Sequence, residues 1–189
     1  MSGKVFLTKL DELNVLILES YYAAQNKEKE VIDDLFDWLV EAYLLGVDDA
    51  SEMMDQLIPV EMTRLEQAVW HPIEGRDFSQ RAAEHIRNGD VTALQTLAQA
   101  EYHRVYNTAA ADGIDQYVQE TGFNVLKTWH TVGDDRVRDT HVDLEGVAIP
   151  RGEEFHTIDG DHALYPGGFE NAENNVNCRC WLTYRRENA

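Results

Sequence analysis

Cysteine is nearly absent from this chain: two occur among 189 residues, Cys178 and Cys180, with a single arginine between them. A disulfide framework is therefore excluded, and a bridge between this pair is unfavourable because residues two apart on an extended strand hold their Cα atoms near the ~7 Å limit for such a bond. They are thiols or ligands. Long apolar runs are missing too, with nothing near the ~20 uninterrupted residues that a helical membrane span needs, so no membrane role is expected. Met1 to Leu7 shows neither a hydrophobic signal core nor a small-residue cleavage site, which predicts a protein kept in a reducing cytoplasm. Positive charge is sparse: 16 lysines and arginines stand against 35 aspartates and glutamates, a net charge of −19. Such a field repels phosphate, so broad electrostatic binding to duplex nucleic acid is disfavoured, and a DNA contact has no support from charge. Arg136, Arg138, Arg151, Arg179, Arg185 and Arg186 nevertheless gather in the last third, leaving room for local basic spots. No internal repeat or low-complexity tract is seen.

What is present is the balance of an ordinary globular protein, 43% hydrophobic and 27% charged, long enough for one or two domains with a real core. From Leu7 to about Leu57 the apolar residues recur at three and four, as in Leu10, Leu13 and Ile17 and then Ile32, Leu35, Leu39 and Tyr43, which is helix spacing. Gly46 is expected to end the second helix, Asp48 or Ser51 to cap a short third, and Pro59 to break the chain before Met62, Leu65 and Val69. Trp70 to Gly75 reads as a connector. Beyond it, Ser79 is expected to cap a helix that stops at Asn88-Gly89, and Asp90 a longer one reaching about Gly113, with a further turn or two ending at Thr121-Gly122. Then the character changes. Phe123 to Thr131 reads as a strand, Asp134 to Leu144 as a short helix closed by Gly146, and Val147 to Pro150, Glu154 to Ile158 and Cys178 to Tyr184 as short strands. The fold class is α+β: a helical region over 1–75, a second helical region over 76–122, and a small module of short strands and a short helix over 123–189. The acidic run Asp33, Asp34, Asp37, Glu41, Asp48, Asp49, Glu52 and Asp55 reads as a solvated face, or as a contact for a basic partner.

Chemistry-bearing residues gather late. On a helix Asp134, Arg138 and His141 share one face, an exposed ion pair with a solvated histidine being the plainest account. On a strand Cys178 and Cys180 share a face with Leu182 and Tyr184, opposite Arg179, Trp181 and Thr183. Zinc favours thiolates and imidazoles in a tetrahedron, so His141, Cys178 and Cys180 are candidate ligands, with His130, His156 or His162 as the fourth; buried unmetallated thiols are the competing account. The alternative function is a metal-dependent hydrolase or nuclease using His141, Cys178 and Cys180; without a metal, His141 would act as general base and Arg138 at a developing oxyanion, with Glu153 or Glu154 nearby in sequence. No nucleophile elbow, P-loop, dinucleotide fingerprint or zinc-protease helix accompanies them.

At these stretches the chain resembles the phage Mu F-like, or head-morphogenesis, family of minor head proteins. Trp129-His130-Thr131, Asp134, Arg138, His141, Leu144-Glu145-Gly146, Phe155, Pro166 and Asn177-Cys178-Arg179-Cys180 follow that family's C-terminal order and approximate spacing. Ala100-Glu101-Tyr102-His103-Arg104-Val105-Tyr106-Asn107 looks like the helix before it. The resemblance covers roughly Phe78 to Thr183. It implies a non-enzymatic protein, made in the host cytoplasm, that joins the capsid interior near the portal and contacts the portal and other head proteins. It also implies Trp129, Asp134, Arg138, His141, Gly146, Phe155, Asn177 and Arg179 as structural signature residues. Many relatives carry a Cys-x-x-Cys pair where this chain has Arg138-Asp139-Thr140-His141, which would complete a four-cysteine zinc site; here only His141 remains. Relatives fused to toxin domains exist, but none is expected here.

Overall fold

The computed structural model describes the backbone of residues 2–24 and 27–187, and side chains from Thr8 onward apart from residues 10, 11, 25, 26, 188 and 189. Leu7 and Leu10 of the first helical repeat therefore lie outside the described side chains. Five helices come first: α1 (Ser2–Ala23), α2 (Glu28–Met54), α3 (Met62–Val69), α4 (Phe78–Asn88) and α5 (Val91–Thr121). The rest alternates short elements: β1 (Val125–His130), α6 (Asp139–Val142), β2 (Ala148–Pro150), β3 (Phe155–His156), β4 (His162–Ala163), α7 (Ala172–Asn175) and β5 (Trp181–Arg186). This is the expected α+β order, helices before strands.

Gly46 does not end a helix, and Asp48 and Ser51 do not start one; all three lie inside α2. The reason is packing against α5. A Cβ on Gly46 would sit 2.4 Å from the Tyr106 carbonyl oxygen and 2.7 Å from the Ala109 Cβ, so only glycine lets the two backbones approach this closely. Gly113 mirrors it from the other helix, where an added Cβ would lie 3.0 Å from the Ala50 Cβ. For that reason α5 runs through Gly113 and closes only at Gly122, which adopts the left-handed conformation with φ of 71°. Asp49 leaves the acidic face: it is buried and accepts a hydrogen bond from the Tyr106 hydroxyl, while Asp33, Asp34, Asp37, Glu41, Asp48, Glu52 and Asp55 stay exposed.

Caps set the boundaries of α4 and α5. Asp77, rather than Ser79, caps α4: its carboxylate accepts from the Gln80 N–H at 2.9 Å and Gln80 Oε1 accepts from the Asp77 N–H at 3.1 Å, a reciprocal box. Ser79 only supports it, donating its hydroxyl to Asp77 at 2.6 Å. A charged acceptor at the positive end of the helix is the stronger cap. Asp90 caps α5 as expected, accepting from the Ala93 N–H at 3.0 Å.

β1 is the centre of a three-stranded antiparallel sheet in the order β2-β1-β5, with Trp129 opposite Leu182 and Lys127 opposite Tyr184. β3 and β4 form a separate hairpin. Strand periodicity turns Val125, Lys127 and Trp129 inward. The helix expected over Asp134 to Leu144 shrinks to the single turn α6, because the Asp134 carboxylate accepts from the Arg136 N–H at 3.1 Å and holds a local turn that competes with helix. Buried apolar residues from Leu13 on α1 to Tyr184 on β5 make one cluster.

Candidate functional site: a buried histidine beside two thiols

Three segments converge beneath the sheet. β1 delivers Trp129, which is fully buried; α6 delivers His141, 1% exposed; and the lead-in to β5 delivers Cys178 and Cys180, both buried free thiols. Regular strand pairing begins only at Trp181, later than expected, yet burial still alternates so that both cysteines point inward with Leu182 and Tyr184. Asn177 enters this segment with φ of 57°, a left-handed turn that asparagine tolerates. His141 Nδ1 lies 3.6 Å from Cys178 Sγ and 3.5 Å from Cys180 Sγ. Its ring stacks on Phe169 at 5.3 Å and meets Trp129 edge-on at 5.5 Å. Phe155 closes the other side of Trp129, ring centroids 5.0 Å apart.

A fourth segment, unforeseen in this role, joins from the middle of α5. His103 donates its Nε2–H to the Cys180 carbonyl at 2.7 Å, which brings its ring close enough to the Cys178 thiol to act on it electrostatically. Burial pushes the Cys178 thiol up, but a hydrogen bond from Cys180, the electrostatic action of His103 and a hydrogen bond from His141 outweigh it and hold its pKa well below the ordinary value. Cys180 is driven the other way, first by the proton it shares with Cys178 and then by burial.

The polar stripe of Asp134, Arg138 and His141 does not exist, because Asp134 precedes α6 and the three side chains diverge. Asp134 is neither a helix cap nor the partner of Arg138: it is bound bidentately by Arg179 through two contacts of 2.7 Å, which hold its carboxyl well below the usual carboxylate range. Arg138 meets no buried carboxylate; it donates to the carbonyls of Asn174 at 2.8 Å and Val176 at 2.6 Å. Gly146, at φ of 74°, turns the chain so that its N–H reaches the Trp129 carbonyl at 2.9 Å. The other histidines proposed as ligands go elsewhere. His130 bonds Thr183 at 2.7 Å, and His162 faces Glu154 at 3.2 Å and the ring of His156 at 5.7 Å.

A small cavity of about 20 Å³ opens beside His141, Cys178 and Cys180, and Arg136, Arg138, Asn177 and Arg179 also line it. No aspartate or glutamate does so among the described residues. Glu153 and Glu154, the carboxylates a hydrolytic site would recruit, are therefore absent from its wall.

Two further polar clusters brace the surroundings. Asp161, 5% exposed, accepts from Asn174 at 2.9 Å and from the backbone N–H groups of His162, Asn171 and Glu170. Burial raises its pKa, but these donors together bring it below the ordinary value. On the helical side, buried Glu101 is held by Arg104 at 2.8 Å and Arg81 at 3.1 Å, and Arg104 also donates to the Ala68 carbonyl at 2.8 Å. This ties α3, α4 and α5 together at the floor of a cleft of about 1170 Å³.

Comparison with known proteins converges on the same segment. The family model described as Phage Mu protein F like protein matches residues 62–183, from α3 into β5, and so contains His103, His141 and both cysteines. The chain is 33% identical over 87 residues to minor head protein GP7 of Bacillus phage SPP1, a match covering 46% of this chain and 28% of that protein. It is 32% identical over 109 residues to NAD(+)–arginine ADP-ribosyltransferase EFV of Enterococcus faecalis (strain ATCC 700802 / V583), covering 57% of this chain and 22% of that protein. The chain thus spans about a quarter of the length of these curated relatives. No solved structure matches it. With nearly two thirds of its residues inside the family match, the chain belongs to the family of Phage Mu protein F like proteins.

Proposed function

We propose that this chain is a bacteriophage minor head protein that binds the portal and neighbouring head proteins during capsid assembly and resides inside the capsid near the portal. The observation that carries this reading is the family match over residues 62–183, supported by the relation to a minor head protein. The geometry agrees with a binding rather than a catalytic role. Asp134, Arg138 and Arg179 are engaged in holding the module's own loops, and His141 is buried against Trp129 and Phe169. A hydrolase or nuclease built on His141 and the thiols would need a carboxylate or a substrate channel there, and the cavity supplies neither at about 20 Å³. The transferase named among the relatives shares 22% of its length with this chain, too little to carry that activity over. The surface offered to partners includes the exposed acidic face of α2, which suits a basic partner patch.

The test is co-expression with the portal protein of the same phage. A complex that survives gel filtration at low salt, and weakens when Asp33, Asp34 and Asp37 are changed to lysine, is the expected result. Separate elution of the two proteins at every salt concentration would contradict the portal assignment.

A further inference from the structure

The histidine–dithiol nucleus has the dimensions of a metal site. Zinc binds cysteine sulfur at about 2.3 Å and histidine nitrogen at about 2.0–2.1 Å, so the S···N edge of a tetrahedral site is about 3.5 Å. The two S···N distances here are 3.6 and 3.5 Å, and all three donor atoms lie within 4.8 Å of one another. Hydrogen bonding alone does not call for this arrangement, because one Nδ1 makes one in-line hydrogen bond, yet both sulfurs converge on it. The adjoining cavity of about 20 Å³ borders all three donors and is large enough for one water-sized ligand at a fourth vertex.

The geometry points to a single zinc-class ion held by His141 Nδ1, Cys178 Sγ and Cys180 Sγ, its fourth position facing the small cavity. Two sulfurs and one imidazole select a borderline-soft ion over magnesium or calcium. The surroundings fit this donor set. His103, anchored on the Cys180 carbonyl at 2.7 Å, and the buried ring of Trp129, edge-on to His141 at 5.5 Å, brace the donor set from outside. The guanidinium groups of Arg138 and Arg179 are turned to backbone carbonyls and to Asp134. With no carboxylate on the cavity wall to act as base, the ion serves as a clasp joining α6 to the chain entering β5. This assignment stands independently of any contact with the portal.

The experiment uses the full chain, purified without chelator and then dialysed against zinc or titrated with cobalt(II). About one equivalent of zinc is expected, with a thiolate-to-cobalt charge-transfer band displaced by zinc. X-ray absorption at the zinc edge is expected to count two sulfur neighbours. Cys178→Ser, Cys180→Ser and His141→Gln should each lose the cobalt band, while His156→Ala keeps it. A folded wild-type protein that takes up neither metal would overturn the assignment. So would a zinc shell of nitrogen and oxygen alone, which can be read on the wild-type protein even if the variants fail to fold.

Discussion

Lys127 is a charged residue in an environment at odds with its chemistry. It sits 1% exposed on β1, donates to the Leu164 carbonyl at 2.7 Å and lies 5.1 Å from the Phe155 ring centroid. Burial pushes its pKa down to about 8. Between that value and the unfolded value near 10.5, the unfolded chain holds a proton that the folded chain has lost, so this group makes stability rise with pH. Urea unfolding from pH 7 to 10.5 should therefore show wild type gaining on Lys127→Met by up to roughly 3 kcal/mol. A difference that stays flat or falls would contradict the buried, depressed lysine. Apolar content alone would turn Leu126 inward, but strict strand alternation from Val125 and Trp129 puts Lys127 on the buried face. The cysteines and His141 were recognisable as candidate ligands from residue type and motif. His103 was not, because its role depends on a hydrogen bond to a residue 77 positions away.

Among the elements, the long helices depend on glycines that serve opposite purposes. Gly46 permits close approach of α2 and α5, whereas Gly122 ends a helix in the left-handed region. Gly46→Ala forces its new methyl into Tyr106 and Ala109, and a loss of about 1–3 kcal/mol is expected. Gly122→Ala meets no neighbour within 4 Å and bears only the cost of its positive φ, about 1 kcal/mol. Parallel thermal melts should rank Gly46→Ala as the more damaging; the reverse order would contradict the glycine-mediated crossing. Asp77→Ala removes the α4 capping box and should cost about 1 kcal/mol, a fall of about 2–4 °C in Tm for a chain of this size. An unchanged melt would show that the box is dispensable. Helix spacing and the caps at Gly89, Asp90 and Gly122 were readable because they are local. Gly46 and Gly113 misled because a glycine that ends a helix and one that admits a neighbouring helix look alike until the partner is known. Two-residue strands such as β4, and the single turn α7, are too short for any periodicity to register.

Across the whole molecule, the sequence order of Trp129, His141 and Cys178-Arg179-Cys180 was enough to indicate a closed terminal module. The clasp of that module onto α5 through His103, and the Glu101 network beneath the cleft, arise only when distant segments meet. A family match confined to residues 62–183 leaves α1 and α2 outside the shared part, so the exposed acidic face of α2 is where contacts particular to this chain are expected. The claim that binds these scales together is the proposal that the module closed by Trp129, His141 and the two thiols builds this chain into a phage head. Quantitative mass spectrometry of purified procapsids tests it most directly. The account predicts this chain in a few copies per particle, retained with the portal when the shell is dissociated; particles with portal present and this chain absent would contradict it.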